Sequence, residues 1–468
     1  MSDSASGFAG YYDVQQFGAV GDGVTLCTAA LQQAIEACHA AGGGKVVIPP
    51  GVYLTGTLYL KSHVTLHLQA GAILRGSPRR EDYNPDDIFP ENPVFTSENV
   101  SGAHLIIAYR AQQVAIEGEG TIDGHSSAFF EPLPPEETTT TYWQKSRNFP
   151  IRDWRPGQMV FFCCCTHVRV RDVSLLNAPY WTLFLLGCSE VQVRGLRIEN
   201  PPQTANGDGL DIDCCRQVTV SDCLIRSGDD CLTLRGYNRL LGEDAPACEN
   251  VTVTNCVLSS PCTAIRVGVG DGVVRNCLLS NLVITESRTG INFICAYSEK
   301  SRHGVTIENV HFSQVLMEAV VPFNVLLGQY AKPPAAIRDI SFSHFRLRGR
   351  QGLYFGGNEG LPLTNLSLQD IELRLTGDDV DPEFAQKEPL PFGNNRVPAA
   401  VYLRWVQGLR VRDLRVVWEE ISGGWQHGLV LEDCHEVRLA GLDIPAPPTA
   451  PEGESVHCRG VSDLHGPA

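Results

Sequence analysis

VTVSDCLI (Val218–Ile225) and VTVTNCVL (Val251–Leu258) are nearly the same eight residues. Each sets an aliphatic side chain at alternate positions, then breaks at Asp or Asn before a second short apolar run. Alternation with a period of two marks a strand with one buried face, not an amphipathic helix. The pattern returns along the chain: VTLHL at Val64, VAIEG at Val114, VRVRDVSLL at Val168, VQVRGLRI at Val191, VTIENVHF at Val305, IRDISFSHF at Ile337, LSLQDIEL at Leu366, LRVRDLRV at Leu409 and VRLAGLDI at Val437. The steps from 168 to 191 and on to 218 are 23 and 27 residues. Self-similarity at this period means stacked units, none of which can bury its apolar face alone. Two or three short strands per unit, broken by Gly, Asn or Asp, describe one coil of a parallel β-helix. The Leu/Asn spacing of leucine-rich repeats is absent, and a propeller blade needs about 40 residues. The expected fold is all-β, a parallel β-helix.

A solenoid of this kind has an open end that invites edge pairing. TAALQQAIEACHAAGGG, from Thr28, is suited to cover it: Leu31, Ile35 and Cys38 share one helical face, Thr28 is the expected N-cap, and Gly42–Gly44 end the helix. The expected organisation is an N-terminal extension (1–14), one catalytic solenoid domain (15–445) and a loosely held Pro-rich tail (446–468).

Composition narrows the function. With 43% hydrophobic and 19% charged residues, the 468-residue chain can bury a large core. A net charge of −16 argues against nucleic acid, whose binding rests on Lys and Arg neutralising phosphates. No basic segment followed by an apolar run opens the chain, and no stretch of 18 apolar residues suggests a membrane span. Seventeen cysteines without a visible secretion signal read as reduced, buried core residues in a cytoplasmic protein. The group Cys163, Cys164 and Cys165 lacks the pattern of a zinc site, so core packing is its expected role.

Chemistry concentrates in two stretches. NGDG (Asn206–Gly209) and GDDC (Gly228–Cys231) put Asp208 and Asp230 22 residues apart. Leu210 and Ile212 align with Leu232 and Leu234 at the same offset, so stacking at about 4.8 Å is expected to set Asp208 beside Asp230, with Asp229 at the turn. Two carboxylates could hold and deprotonate a water while a third donates a proton to a leaving oxygen. Inverting glycosidases divide the work in this way, with acid and base roughly 6.5–9.5 Å apart, and crowding separates the pKa values of such groups. Asp at strand ends is also an ordinary turn former, which suffices for Asp211 and Asp213, and acid clusters can hold Ca²⁺.

Neighbouring coils supply candidate substrate-binding residues: Trp181 for sugar stacking or for packing under a loop, Arg155 toward the same face, Thr263 level with Asp230, and Arg266 to grip a substrate carboxylate or to neutralise the acids. Asn292 and Tyr297 follow, and Glu318 opens the EAVVPF coil. Loops Glu81–Val100 and Pro132–Pro156 could wall off one end of a cleft, with Phe129, Phe130, Tyr142, Trp143 and Trp154 as sugar-facing aromatics or as clamps for the loop.

At these residues the sequence resembles glycoside hydrolase family 28, the polygalacturonases and their relatives, from FGAVGDG at Phe17 through VVIPPGVY at Val46 to the C-terminal coils. The resemblance implies a right-handed, pectin-lyase-like β-helix, an inverting hydrolysis with Asp229 as general acid and Asp208 and Asp230 activating water, and no metal or organic cofactor. Where the family carries Gly-His-Gly, this chain has Cys262-Thr263-Ala264. Where the family carries Arg-Ile-Lys, it has Asn292-Phe293-Ile294. The expected activity is an exo-acting glycosidase on short pectin-derived or related uronic-acid-containing oligosaccharides, with no nucleic-acid or membrane partner and pairing with a second copy left open. A lyase or epimerase on the same fold, and a non-catalytic carbohydrate-binding β-helix, are the rival readings.

Overall fold

In the computed structural model the short strands run parallel in one continuous hydrogen-bonded system, a right-handed parallel β-helix with a small N-terminal helix. It describes residues 10–466 except 88, 93, 139–140, 145–146, 243–244, 378–379, 388, 390–394 and 451. Residues 1–9 of the expected N-terminal extension lie outside the described residues. Tyr11–Asp13, by contrast, is already a strand, paired in parallel with Lys45–Val47. Among the described residues the chain divides into two compact units, one ending at Asp229, the other starting at Asp230 and including Thr141–Gln144.

In the first unit the coils from Val160 onward have three strands. Val160–Cys163, Thr166–Arg171 and Ser174–Leu176 pair with Leu183–Leu186, Ser189–Arg194 and Arg197–Glu199. These pair in turn with Leu210–Asp213, Arg216–Ser221 and Leu224–Arg226. Val168, Val191 and Val218 therefore stack, as the repeat predicts. The bend after the second strand is a left-handed residue at the same place in each coil: Asp172, Gly195 and Asp222, with φ of 60°, 64° and 59°. Asp and Gly are among the residues that tolerate this region, which explains why the alternation breaks there.

The N-terminal helix spans Thr28–Ala40 and buries Leu31, Ala34, Ile35 and Cys38. Its N-cap is Cys27 rather than the expected Thr28. Thr28 is the first helical residue, and its hydroxyl instead accepts from Gly56 N at 2.7 Å, tying the helix to the end of the strand Gly51–Thr55.

The second unit repeats the scheme with longer, continuous strands: Cys248–Ser259, Val273–Ile294, Thr306–Leu326 and Ala336–Gly349. Left-handed bends again recur in register, at Asn255, Asn281, Gln314, His344, Asp370 and Asp413. Its core includes an aromatic cluster in which Phe342 meets Phe312, Phe323 and Phe355 at 4.7–5.8 Å. The tail is not loose. Glu454–Arg459 and Ser462–His465 pair in parallel with His427–Glu432 and His435–Asp443, adding another coil because Val456 and Leu464 continue the apolar alternation.

No cysteine is disulfide-bonded among the described residues; 14 of the 17 are buried, with Cys164 and Cys262 half-buried and Cys458 exposed. Cys165 and Cys188 pack in the core and donate to the carbonyls of Ala108 and Phe162 at 3.3 Å. No helix among the described residues is long and apolar enough to cross a membrane.

Candidate active site

Two turns in the first unit carry Asp208 and Asp229. Asp208 precedes the strand Leu210–Asp213 and is 6% exposed, its carbonyl accepting from Thr182 N at 2.9 Å. Asn200 fixes the turn: its Nδ2 donates to Gly207 O and Thr182 Oγ1, and its Oδ1 accepts from Ala178 N. Gly228 N donates to Gly207 O at 2.8 Å, joining the turn of Asp229 to that of Asp208. A Cβ on Gly228 would stand 2.6 Å from Thr204 O, so only glycine permits this approach. Asp229 is half-buried, and its carbonyl accepts from Ser227 Oγ. Asp211 and Asp213 are not turn residues: both lie within the strand Leu210–Asp213 and are fully buried.

Behind these turns lies Arg155, fully buried. Its Nε donates to Asn99 O, Nη1 to Pro179 O and Ala205 O, and Nη2 to Glu98 O and Asn206 Oδ1. A guanidinium has five N–H donors, and all five are used here. Arg155 therefore has none left for a substrate carboxylate, which corrects the expectation from sequence: it pins three loops instead. Burial pushes its pKa down to about 10, while the carboxylates of Glu98, Asp208 and Asp229 pull the other way, so it remains a cation at neutral pH. The two acids thus share the field of one buried positive charge.

Trp181 is likewise committed to packing, only 6% exposed. Its ring stacks on Tyr180 at 5.1 Å and meets Phe184 edge-on at 5.2 Å, so it presents no free face to a sugar. Phe129 and Phe130 form a cluster with Ala205, against which Phe149, Ile151 and Trp154 pack. These aromatics clamp the loop. Tyr142 is buried in the second unit.

In that second unit Asp230 is 4% exposed and gripped by Arg266, which donates through Nε to Oδ2 and through Nη2 to Oδ1 at 3.0 Å. Nη2 also reaches Thr263 Oγ1 at 3.2 Å. Burial alone would lower the Arg266 pKa, but the charge and hydrogen bonds of Asp230 outweigh it and hold the group well above its ordinary value. Of the two roles open to Arg266 from sequence, the geometry favours neutralising an acid. Its Nη1, however, is buried with no hydrogen-bond partner among the described residues. Asn292 is the register partner of Arg266 on the next strand, and its Nδ2 also lacks one. Tyr297 is 37% exposed and close enough to act electrostatically on Arg266. Thr263 is buried, in register with Thr289.

Glu318 lies elsewhere. Its register partner is Arg348, and it lines a groove with Thr285, Leu316 and Arg346.

The profile of Glycosyl hydrolases family 28 matches residues 38–377. The chain belongs to this family. A Vitis vinifera relative is 29% identical over 227 residues, 47% of this chain and 43% of the relative. An "Exo-poly-alpha-D-galacturonosidase" of Dickeya chrysanthemi is 26% identical over 406 residues, 77% of this chain and 65% of the relative. The chain thus spans less than two thirds of these relatives. Among solved structures, an exopolygalacturonase from Thermotoga maritima superimposes with a TM-score of 0.67 at 21% identity, over 87% of this chain and 91% of the other. A family 28 exopolygalacturonase from Yersinia enterocolitica gives 0.60 at 18%, over 98% and 76%. At such identities the likeness concerns the fold.

Three contributors in this family 28 chain escaped the sequence reading. Asn324 Nδ2 donates to Asn292 Oδ1 at 2.9 Å, and Asn395 Nδ2 donates to Asn324 Oδ1 at 2.7 Å. Aligning VPFNVLL, from Val321, under TGINFIC, from Thr289, would have found Asn324, which is the register partner of Asn292. Asn395 sits in a loop without periodicity and gave no signal. Tyr180, stacked beneath Arg155 at 4.8 Å with its hydroxyl on Glu98, read only as the neighbour of Trp181.

Proposed function

We propose that this chain is an inverting glycoside hydrolase that releases end units from pectin-derived or related uronic-acid-containing oligosaccharides. Asp229 is the general acid that protonates the leaving oxygen, and Asp208 and Asp230 hold and deprotonate the attacking water. Family membership supports the reaction class. The observation that carries the residue assignment is the hydrogen bond between the turns of Asp208 and Asp229, with both acids in the field of Arg155. Asp229 is the more exposed of these two, as a group that must reach a leaving oxygen has to be.

The exo reading draws on relatives named for exo action, including exopolygalacturonases of Zea mays and Platanus acerifolia. The chain is a divergent member on the substrate side. Thr263 and Asn292–Ile294 stand where the motifs of the resemblance place His and the Arg/Lys pair. Of the candidate residues in the second unit, Tyr297 is the one exposed enough to meet a sugar, whereas Arg266 Nη1 and Asn292 Nδ2 are buried. No metal or organic cofactor is part of this mechanism. Buried cysteines, none in a disulfide among the described residues, suit a reducing cytoplasm and hence small imported oligosaccharides.

A lyase would need a base near the sugar C5. Arg266, the candidate for that task, is opposed by its pairing with Asp230, which keeps it protonated. The test is a panel of uronic and neutral pectic oligosaccharides, following new reducing ends and unsaturated products together, with and without chelator. Reducing ends without unsaturation, formed first as the inverted anomer by NMR, are expected. Unsaturated products would overturn the proposal.

A further inference from the structure

At the far end of the second unit, two imidazoles and a carboxylate converge. His427 opens the strand His427–Glu432 and Glu454 opens Glu454–Arg459; the two residues are register partners, with His457 further along the second strand. One ligand atom from each of His427, Glu454 and His457 lies within 4.8 Å of the other two. Glu454 Oε2 is hydrogen-bonded to His457 Nδ1 and stands 3.9 Å from His427 Nδ1. The rings lie face to face, 4.3 Å apart and 14° from parallel.

We infer that His427, Glu454 and His457 form a binding site for a divalent transition-metal ion, with Zn²⁺ as the fitting case. Two imidazole nitrogens and one carboxylate are a zinc ligand set that leaves a fourth position for water; Ca²⁺ and Mg²⁺ prefer oxygen donors throughout. Two imidazolium ions cannot share this spacing without repulsion. Metal ligation takes each imidazole in its neutral form. Glu454 supplies the compensating negative charge. Binding needs the His457 ring to turn out of the stack so that the lone pairs converge, and its side chain is 40% exposed and has room to do so.

The location gives the ion a purpose. Glu454–Arg459 is an exposed strand in the last coil, where an open edge is least protected. A metal held by His427 on one strand and by Glu454 and His457 on the next ties that coil to the one before it. The site is remote from the Arg266–Asp230 pair of the same unit. In one register column, Arg266, Asn292, Asn324, Tyr354, Tyr402, Val430 and His457 follow each other. Six steps at about 4.8 Å separate Arg266 from His457 by roughly 29 Å.

The experiment uses the full chain stripped with chelator and returned to chelator-free buffer. Zn²⁺ titrated by calorimetry is expected to bind at one site and raise Tm. His427→Ala and His457→Ala should each weaken binding at least about tenfold and abolish the rise in Tm. Cys458→Ser, which removes the exposed thiol beside the site, should change neither. Co²⁺ in place of Zn²⁺ should give the weak visible bands of nitrogen and oxygen ligands without thiolate charge transfer. Absence of binding, binding unchanged in the double histidine variant, or binding lost with Cys458 would each overturn the inference.

Discussion

Arg155 and Asn206 are joined by a 2.9 Å hydrogen bond from Nη2 to Oδ1, two residues ahead of Asp208. Asn206 is left-handed at φ 51°, a conformation asparagine tolerates, and its side-chain oxygen is thereby presented to the buried guanidinium. The asparagine of the NGDG motif is thus a fastener between a buried cation and the turn of an acid. Arg155→Met would leave four carbonyls and Asn206 Oδ1 without that donor. The expected loss is about 3–5 kcal/mol of stability, as for breaking a buried charged network. Arg155→Lys keeps a charge but not the fork of donors, so it should fold with a lowered Tm and a reduced kcat. Urea unfolding and initial rates measure both, and wild-type stability in Arg155→Met would contradict the role.

Asp229→Asn replaces the proposed general acid by a near-isostere. Asp229 is half-buried, and its turn is tied down through the backbone of Gly228 and the hydroxyl of Ser227. Folding should therefore be retained, with Tm close to wild type, while kcat falls by about 10²–10⁴-fold. Substrates with good leaving groups need less protonation, so aryl glycosides of the same sugar should lose less. Near-normal turnover of natural oligosaccharides by Asp229→Asn would remove Asp229 from that role.

Arg266 and Asp230 form a buried pair, so single and double replacements should not add. Arg266→Met strands a carboxylate and Asp230→Asn strands a guanidinium, each at a cost of about 3–5 kcal/mol. The double variant Asp230→Asn/Arg266→Met should recover part of that loss, a coupling readable from denaturant midpoints. Additive effects would mean that the pair does not contribute to the folded state. Catalysis should be lost in all three variants.

The solenoid was legible because its physics is periodic. Val168, Val191 and Val218 stack where a period-two pattern repeated every coil requires them to, and Asp172, Gly195 and Asp222 mark the bends that interrupt it. The tail was misread because Pro447, Pro448 and Pro451 dominate the composition of its first residues, while the alternation through Val456 and Leu464 is short and only half-buried. At the candidate site, residue types were legible but their commitments were not. Arg155 and Trp181 look the same in sequence whether they face a substrate or a loop. Only the positions of Asn99, Pro179 and Ala205 show that every donor of Arg155 is taken. The donors that remain on Arg266 and Asn292 were equally invisible, since each depends on what a neighbour already accepts.

Acid stability should report on Glu117, a largely buried carboxylate outside the candidate site. It accepts from Arg171 through Nε and Nη2 and from Lys45 Nζ at 2.7 Å, with His67 Nδ1 at 3.3 Å. Burial would raise its pKa, but the hydrogen bonds and charges of Lys45 and Arg171 prevail and lower it from 4.5 to about 2. A folded-state pKa below the unfolded value means that the native protein binds fewer protons at this group than the unfolded chain does. The stabilisation is complete above pH 4.5 and is lost as the pH falls toward about 2. Glu117→Gln removes the ionisation in both states. Its Tm should therefore lie below wild type at pH 7, and the gap should narrow between pH 4.5 and about 2. Thermal unfolding of both proteins across that range is the measurement. A gap that stayed constant with pH would mean that Glu117 stabilises the coils by shape and neutral hydrogen bonding, and that Lys45 and Arg171 act on it as donors rather than as charges.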